Sequence, residues 1–199
     1  MTNNNNGLAN IGAANAFAIT NVTFGLFAVV TGRVEGSGLI LLAMWLFAGF
    51  IVQLVPTIVA ILKGNDLDAN LGMVLTNYLM LAGALTFTVK WLAIMNGWQL
   101  DGRIEGYLWL SVFLVITCWT PAVLKLTPMV FNIAVICIDP ALLLLSLSSF
   151  GVMPPSFVPI LGYDLLLIGI LTLWVAAAMI LNSTFQKNII PVGSPLIKS

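Results

Sequence analysis

Three charged residues lie inside long apolar stretches of the sequence: Lys90, Asp139 and Asp164. A charge costs at least about 2.5 kcal/mol at the centre of a bilayer, so each must be paired, neutral or in contact with water. Asp139 lies near the middle of its stretch and precedes Pro140, which removes a backbone hydrogen-bond donor. Its carboxyl is either a pore-lining group that titrates or binds solute, or a hydrogen-bonded packing group.

Lys90 and Asp164 lie at similar depths, each about six residues from the same end of its stretch. One interpretation is that Lys90 extends outward to the interface and that Asp164 stays there too. The other is an ion pair between the third and sixth helices, which would join them or line an outer vestibule.

Uncharged polar residues offer a second kind of chemistry, because they supply hydrogen bonds to a small solute without a net charge. They are equally typical of hydrogen bonds between membrane helices. The polar pore-lining candidates are Thr20, Asn21, Thr23, Thr76 and Asn77.

Several functions are disfavoured by what the sequence lacks. It has no histidine, no paired carboxylates and no nucleophile motif, so we expect neither an enzyme nor a metal site nor a cofactor. Cys118 and Cys137 fall in apolar stretches and are interpreted as small core hydrophobes. The net charge is zero, so nothing indicates nucleic acid as a partner.

The elements that carry these residues are apolar enough to cross a bilayer. Of the 199 residues, 60% are hydrophobic and 7% charged, against about 25% charged in a soluble domain. The sequence therefore predicts an all-α membrane protein, with a polar segment 1–14, a six-helix domain 15–185 and a tail 186–199. The predicted helices are 15–31, 38–62, 71–95, 107–124, 128–148 and 158–185.

The connections and flanking charges predict how the helices are arranged. The link around 125–128 is so short that the fourth and fifth helices must be antiparallel neighbours. Lys63, Lys125, Lys187 and Lys198 outnumber Arg33 and Arg103 on the opposite side, which predicts cytoplasmic termini and an inner-membrane location. The N-terminus lacks the basic region of a signal peptide.

Small residues form a stripe on the predicted sixth helix, where Gly162, Gly169 and Ala176 are seven residues apart. Such a stripe allows close backbone approach. It indicates either packing within the chain or an interface between subunits.

The last quarter of the sequence carries a recognisable pattern. Residues 181–193 read Leu-Asn-Ser-Thr-Phe-Gln-Lys-Asn-Ile-Ile-Pro-Val-Gly, and Gly162, Gly169 and Trp174 precede them in register. Together with 38–44, 63–65 and Thr76-Asn77-Tyr78, this resembles the acetate uptake transporter family, the succinate–acetate permeases. The chain is a divergent member, because residues 10–16 keep only Asn10 of the motif before the first helix.

The resemblance implies a homohexamer of six-helix protomers in the lipid bilayer, each with its own pore for acetate and other short monocarboxylic acids. It implies a constriction formed by Ile19, with Phe17 close by, by Tyr78, and by Cys137 or Ala141. Asp139 is two residues from both Cys137 and Ala141, about 160° away around the helix, so we expect it to face a neighbouring helix.

Two other functions stay open at this point. One is a channel for small neutral solutes such as urea or short amides, which an ionised Asp139 would not repel. The other is a membrane subunit that transports nothing.

Overall fold

Six long helices make up the described part of the chain, residues 11–198 of the computed structural model, and no strand occurs among these residues. The helices are α1 (Gly12–Val30), α2 (Leu39–Leu62), α3 (Asp66–Asn96), α4 (Arg103–Leu126), α5 (Met129–Ser149) and α6 (Phe157–Phe185). Each is long and apolar enough to cross a bilayer, so the chain is an integral, multi-pass membrane protein. The prediction of an all-α, six-helix protein is confirmed.

Two helix starts differ from the sequence prediction by four residues or more. α3 begins at Asp66, five residues early, because the Asn65 side chain accepts a hydrogen bond from the Asp68 amide and caps the first turn. α4 begins at Arg103, four residues early, with Glu105 in its first turn, where the helix dipole favours a negative charge. Both additional turns are polar, and the hydropathy pattern therefore assigned them to loops.

The middle of α3 is not a regular α-helix. Residues Leu75–Leu81 form a π-helical segment, which places an additional residue in the turn and changes the direction of the side chains. Thr76, Asn77 and Tyr78 all lie in it. Such widened turns occur frequently at functional sites in membrane and soluble helices.

The helices pack in a ring that follows the chain order and is closed by α6 against α1. α2 against α3 and α1 against α6 are the two most extensive contacts, followed by α4 against α5 and α5 against α6, and α2 lies between α1 and α3. The predicted antiparallel pair of α4 and α5 is confirmed. The largest fully buried side chains come from α1, α2, α3 and α6; they are Ile19, Leu46, Met80, Leu161 and Ile168.

The ring is loosest between α3 and α4. The first turns of α3, Asp66–Val74, touch α4, but its other end, Ala82–Asn96, does not pack closely against α4. We call that second end the outer end, following the orientation predicted from the charges. The gap between the two helices therefore opens toward this outer end of α3.

The small-residue stripe lies inside the protomer. A side chain at Gly162 would meet Thr31, one at Gly169 would meet Phe24 and Thr23, and Ala176 clusters with Ala16. These contacts all join α6 to α1. The hypothesis that the stripe is a subunit interface is therefore wrong, because α1 already covers it.

The C-terminal tail lies across the inner ends of the helices, which are the ends opposite the outer end of α3. Hydrogen bonds hold it there. The Asn182 side chain accepts hydrogen bonds from the amides of Ile189 and Ile190, at 2.8 and 2.9 Å. The Trp174 indole donates to the Pro191 carbonyl at 2.9 Å. Further along, backbone hydrogen bonds join Val192 to α5 and Ile197 to α4.

The remaining predictions concern the two ends of the chain and the two cysteines. Residues 1–10 and Ser199 lie outside the described part of the chain, and with them Asn10 and most of the predicted segment 1–14. Cys118 is exposed on α4, so its interpretation as a core residue is wrong, whereas Cys137 is partly buried. The placement of an apolar side chain on the outside of a membrane helix has no sequence signal, since lipid and core are equally apolar.

Candidate solute pathway

A cleft of about 320 Å³ fills the gap between α3 and α4. Its walls also include side chains from α1, α5 and the start of α6. The polar groups on its walls are Tyr78, Thr86, Lys90, Glu105, Ser148 and Ser149. Most of the remaining wall is apolar, with Phe87 and Trp109 as its largest side chains. Such a mixture suits a small solute with one polar end.

Two residues singled out in the sequence line this cleft, Tyr78 and Lys90. Tyr78 leaves the π-helical segment of α3, and 56% of its surface is exposed. Its ring can form part of a passage wall while its hydroxyl offers one hydrogen bond.

Lys90 forms an ion pair across the cleft. Its Nζ lies 2.7 Å from Oε2 of Glu105 on α4, and 5.6 Å from the centre of the Phe87 ring. The interpretation of Lys90 and Asp164 as an ion pair is wrong. Lys90 pairs with Glu105, which lies in the turn of α4 that the sequence prediction left out, and Asp164 lies beside the thiol of Cys137 on α5.

A second ion pair, between Asp101 and Arg103, lies at the start of α4. Asp101 precedes the helix, and Arg103 is its first residue. Arg103 donates to both carboxylate oxygens of Asp101, at 2.9 and 2.7 Å, and both side chains are largely exposed. The Arg103 side-chain and backbone hydrogen bonds lower the pKa of Asp101 to about 2. This pair is therefore charged at any pH above the acidic extreme, and neither member lines the cleft.

Asp139 is held by the neighbouring helix α4. Its two carboxylate oxygens accept hydrogen bonds from Thr117, at 3.2 Å, and Thr120, at 2.9 Å. Two hydroxyl donors compensate a carboxylate that apolar surroundings would otherwise leave unsolvated. The structure thus places Asp139 at the α4–α5 contact, away from the cleft.

The uncharged polar candidates make contacts between or within helices. Thr20 on α1 bonds to Thr172 on α6 at 2.9 Å, and Thr23 donates to the Ile19 carbonyl of its own helix. Thr76 lies 3.4 Å from the Thr57 hydroxyl of α2. The remaining two are Asn77, which donates to the Met73 carbonyl, and Asn21, which is half-buried.

The predicted constriction residues divide into buried and exposed groups. Ile19 and Ala141 are each 2% exposed and belong to one apolar cluster, against which Cys137 packs. Phe17 and Tyr78 are about half-exposed. Of the predicted ring, Tyr78 therefore has access to the cleft, and Ile19 and Ala141 lie in the packed centre.

Sequence reasoning missed Gln53, which is fully buried on α2 with neither amide atom hydrogen-bonded to any described residue. Asn15 in the first turn of α1 has a similarly unpaired oxygen. One turn from Gln53, Gly49 packs against Met80, and one turn the other way Thr57 packs against Gly72. Gln53 therefore faces α3 at the depth of the π-helical segment.

A buried amide without a partner is unusual, since an unpaired polar group costs about 1–3 kcal/mol. The signal was present in the sequence, because Gln53 is the one amide side chain in the 24 residues of α2. A single amide side chain in an apolar helix is a weaker signal than the polar runs that contain Asn21 and Asn77.

The sequence itself matches no family model, and no curated protein matches it either. Among solved structures, that of the bacterial acetate channel SatP matches with a TM-score of 0.75, covering 94% of this chain and 99% of the SatP chain. The chain has the SatP fold. At 18% identity this likeness establishes the architecture alone. Because nearly the whole of both chains is covered, the SatP fold includes all six helices.

Proposed function

We propose that the chain is a membrane channel for small solutes, with acetate and other short monocarboxylic acids as its substrates. The SatP fold supports the transport class. The observation that carries the proposal is the Gln53 amide, buried at the depth of the π-helical segment and unpaired among the described residues. Among the residues of α3 that line the cleft, Tyr78 lies furthest from the outer end, and it belongs to that same segment. The inner end of the cleft and the Gln53 amide therefore lie at the same depth.

An amide side chain fits a carboxyl group well. It presents one acceptor and an NH₂ donor, and a protonated carboxylic acid presents one donor and one acceptor. A carboxylate would use the donor alone. A solute that reaches this level would form hydrogen bonds with the Gln53 amide. Without them, the loss of hydration of that amide lowers the stability of the folded chain.

The same pairing fits a primary amide or urea, which keeps a channel for neutral solutes as the second candidate function. The third is a membrane subunit without transport activity. Flux through the purified protein separates all three.

The deciding experiment measures uptake of labelled acetate and labelled urea into proteoliposomes containing the wild-type chain or Gln53→Leu, with protein-free liposomes as the baseline. The proposal expects acetate uptake above baseline, and a loss of about tenfold in the variant, as for the loss of one hydrogen bond to the solute. Uptake of urea alone would favour the second candidate. Baseline uptake of both solutes would favour the third.

The pore constriction belongs to the same proposal. It is formed by Tyr78 with Ile19 or Phe17 and with Cys137 or Ala141. An apolar ring of this kind excludes hydrated ions yet passes a small, partly apolar molecule. The common apolar cluster of Ile19 and Ala141 supports those two members.

We also propose a homohexamer with one pore per protomer, and cytoplasmic termini in the inner membrane. The support for the orientation is the excess of lysines at the inner ends, where Lys125 lies in the last turn of α4. Native mass spectrometry in detergent tests the assembly, and a strictly monomeric protein would contradict it. Cysteine labelling at Gly36 tests the orientation, which fails if that position is labelled only from the cytoplasm.

A further inference from the structure

The ion pair of Lys90 and Glu105 lies in the same cleft as Tyr78, toward its outer end. Both side chains line the cleft, and they come from the two helices that do not pack closely at this end. Their side chains keep 36% and 20% of their surface accessible, so solvent reaches both. The pair is therefore a charged contact across an open mouth and is not a buried element of the core.

The chemistry of the pair matches that of a carboxylate solute. Lys90 already holds one carboxylate, that of Glu105, at 2.7 Å. A carboxylate from solution offers the ammonium group the same hydrogen bonds and the same charge. Partly exposed ion pairs are weak, so such an exchange meets little resistance.

Glu105 has an alternative position once it leaves Lys90. It lies in the first turn of α4, where the helix dipole favours a negative charge. The cleft also offers apolar wall for the hydrocarbon end of the solute, in Phe87, Trp109 and Met153. Glu105 and the incoming carboxylate therefore each have a favourable position after the exchange.

We infer that Lys90 and Glu105 form a carboxylate-exchange site at the outer mouth of the cleft, where a short monocarboxylate displaces Glu105 from Lys90 before it moves inward to Tyr78. The site rests on the proposed function, since it assumes that such acids are transported. It goes beyond that function by naming the first group to recognise the acid, and by giving Glu105 the role of an internal competitor.

The exchange makes a prediction that a structural ion pair does not. Removing the competitor and removing the receptor should change the apparent affinity in opposite directions. With Glu105→Gln, the KM for labelled acetate uptake into proteoliposomes should fall about threefold or more. With Lys90→Gln, the KM should rise by a similar factor, while uptake of a neutral amide such as acetamide stays unchanged relative to wild type.

The chain offers a matched control in the second ion pair. Asp101→Asn and Arg103→Gln change the net charge of the same face by the same amounts, but neither residue lines the cleft. Both controls should keep the wild-type KM. Lys90→Arg keeps the positive charge and should stay near the wild-type value.

The possible results separate cleanly. If both Glu105→Gln and Lys90→Gln raise the KM, the pair is only a link between helices and the exchange site is refuted; an unchanged KM in both refutes it as well. Should Glu105→Gln fail to fold, Glu105→Asp, which keeps the charge on a shorter side chain, must show a lowered KM or the inference fails. A wild-type protein without acetate uptake would instead overturn the proposed function.

Discussion

The α1–α6 interface and the space between α3 and α4 differ in how closely the helices approach and in how their polar groups are paired. At α1–α6, glycines allow close approach, and the hydroxyls of Thr20 and Thr172 bond to each other at 2.9 Å. Between α3 and α4 lies an open cleft spanned by an ion pair, with the unpaired Gln53 amide at the level where it ends.

The difference separates scaffold from pathway. Where polar groups bond to each other, as Thr20 and Thr172 do, a membrane interface has little left to offer a solute. Where a buried group has none, the chain keeps an energetic penalty that pure packing would remove. The polar residues that transport uses are therefore expected on the α3 side of the ring, and the variants below test that division.

The largest expected effect is on the scaffold side. Gly169→Val should lower the free energy of unfolding by about 1–3 kcal/mol, because its side chain would overlap Phe24 and Thr23 of α1. Thermal unfolding in detergent measures the loss. Gly102→Ala is the control, since its surroundings are open and its φ is −69°. Equal melting temperatures for the two variants would mean that α1 and α6 are not tightly packed here.

Asp139→Asn should have a smaller effect, also on the scaffold. The asparagine amide can bond to both hydroxyls, accepting from one and donating to the other, but these neutral bonds are weaker than those to a carboxylate, a loss of about 1 kcal/mol. We expect a lower melting temperature or a weaker assembly on a native gel, with the acetate-to-urea uptake ratio unchanged. A changed ratio would place Asp139 on the pathway and undo the division.

Tyr78→Ala should have the smallest effect, and on the pathway side. Removing the ring from the end of the cleft widens it, so uptake of propionate relative to acetate should rise about threefold, equivalent to less than 1 kcal/mol. Tyr163→Ala is the matched control, because that ring packs on Phe27 outside the cleft. An equal shift in both variants would show that the effect is not local to the pathway.

The apolar pattern was sufficient to predict the membrane fold. The number of helices and the pairing of α4 with α5 follow from composition and loop length, since a bilayer allows few alternatives. The first turns of α3 and α4 were missed because they are polar. Glu105 lies in the first turn of α4, so the partner of Lys90 was missed as well.

The candidate site was harder to predict, because it depends on which face of each helix looks inward. Core and lipid are equally apolar, so the sequence does not distinguish Cys118, which is exposed, from Ile19, which is buried. The π-helical segment of α3 also changes the register on which a face assignment relies. Gln53 could have been found as a lone amide in an apolar helix.

The most direct test of the account compares stability with flux in a single variant, Gln53→Leu. Removing an unpaired buried amide should leave the melting temperature in detergent unchanged or raise it, whereas acetate uptake into proteoliposomes should fall about tenfold. Thr20→Val, at the α1–α6 interface, should show the reverse pattern of lower stability and normal uptake. A Gln53→Leu protein that is destabilised and still transports acetate at the wild-type rate would contradict the account.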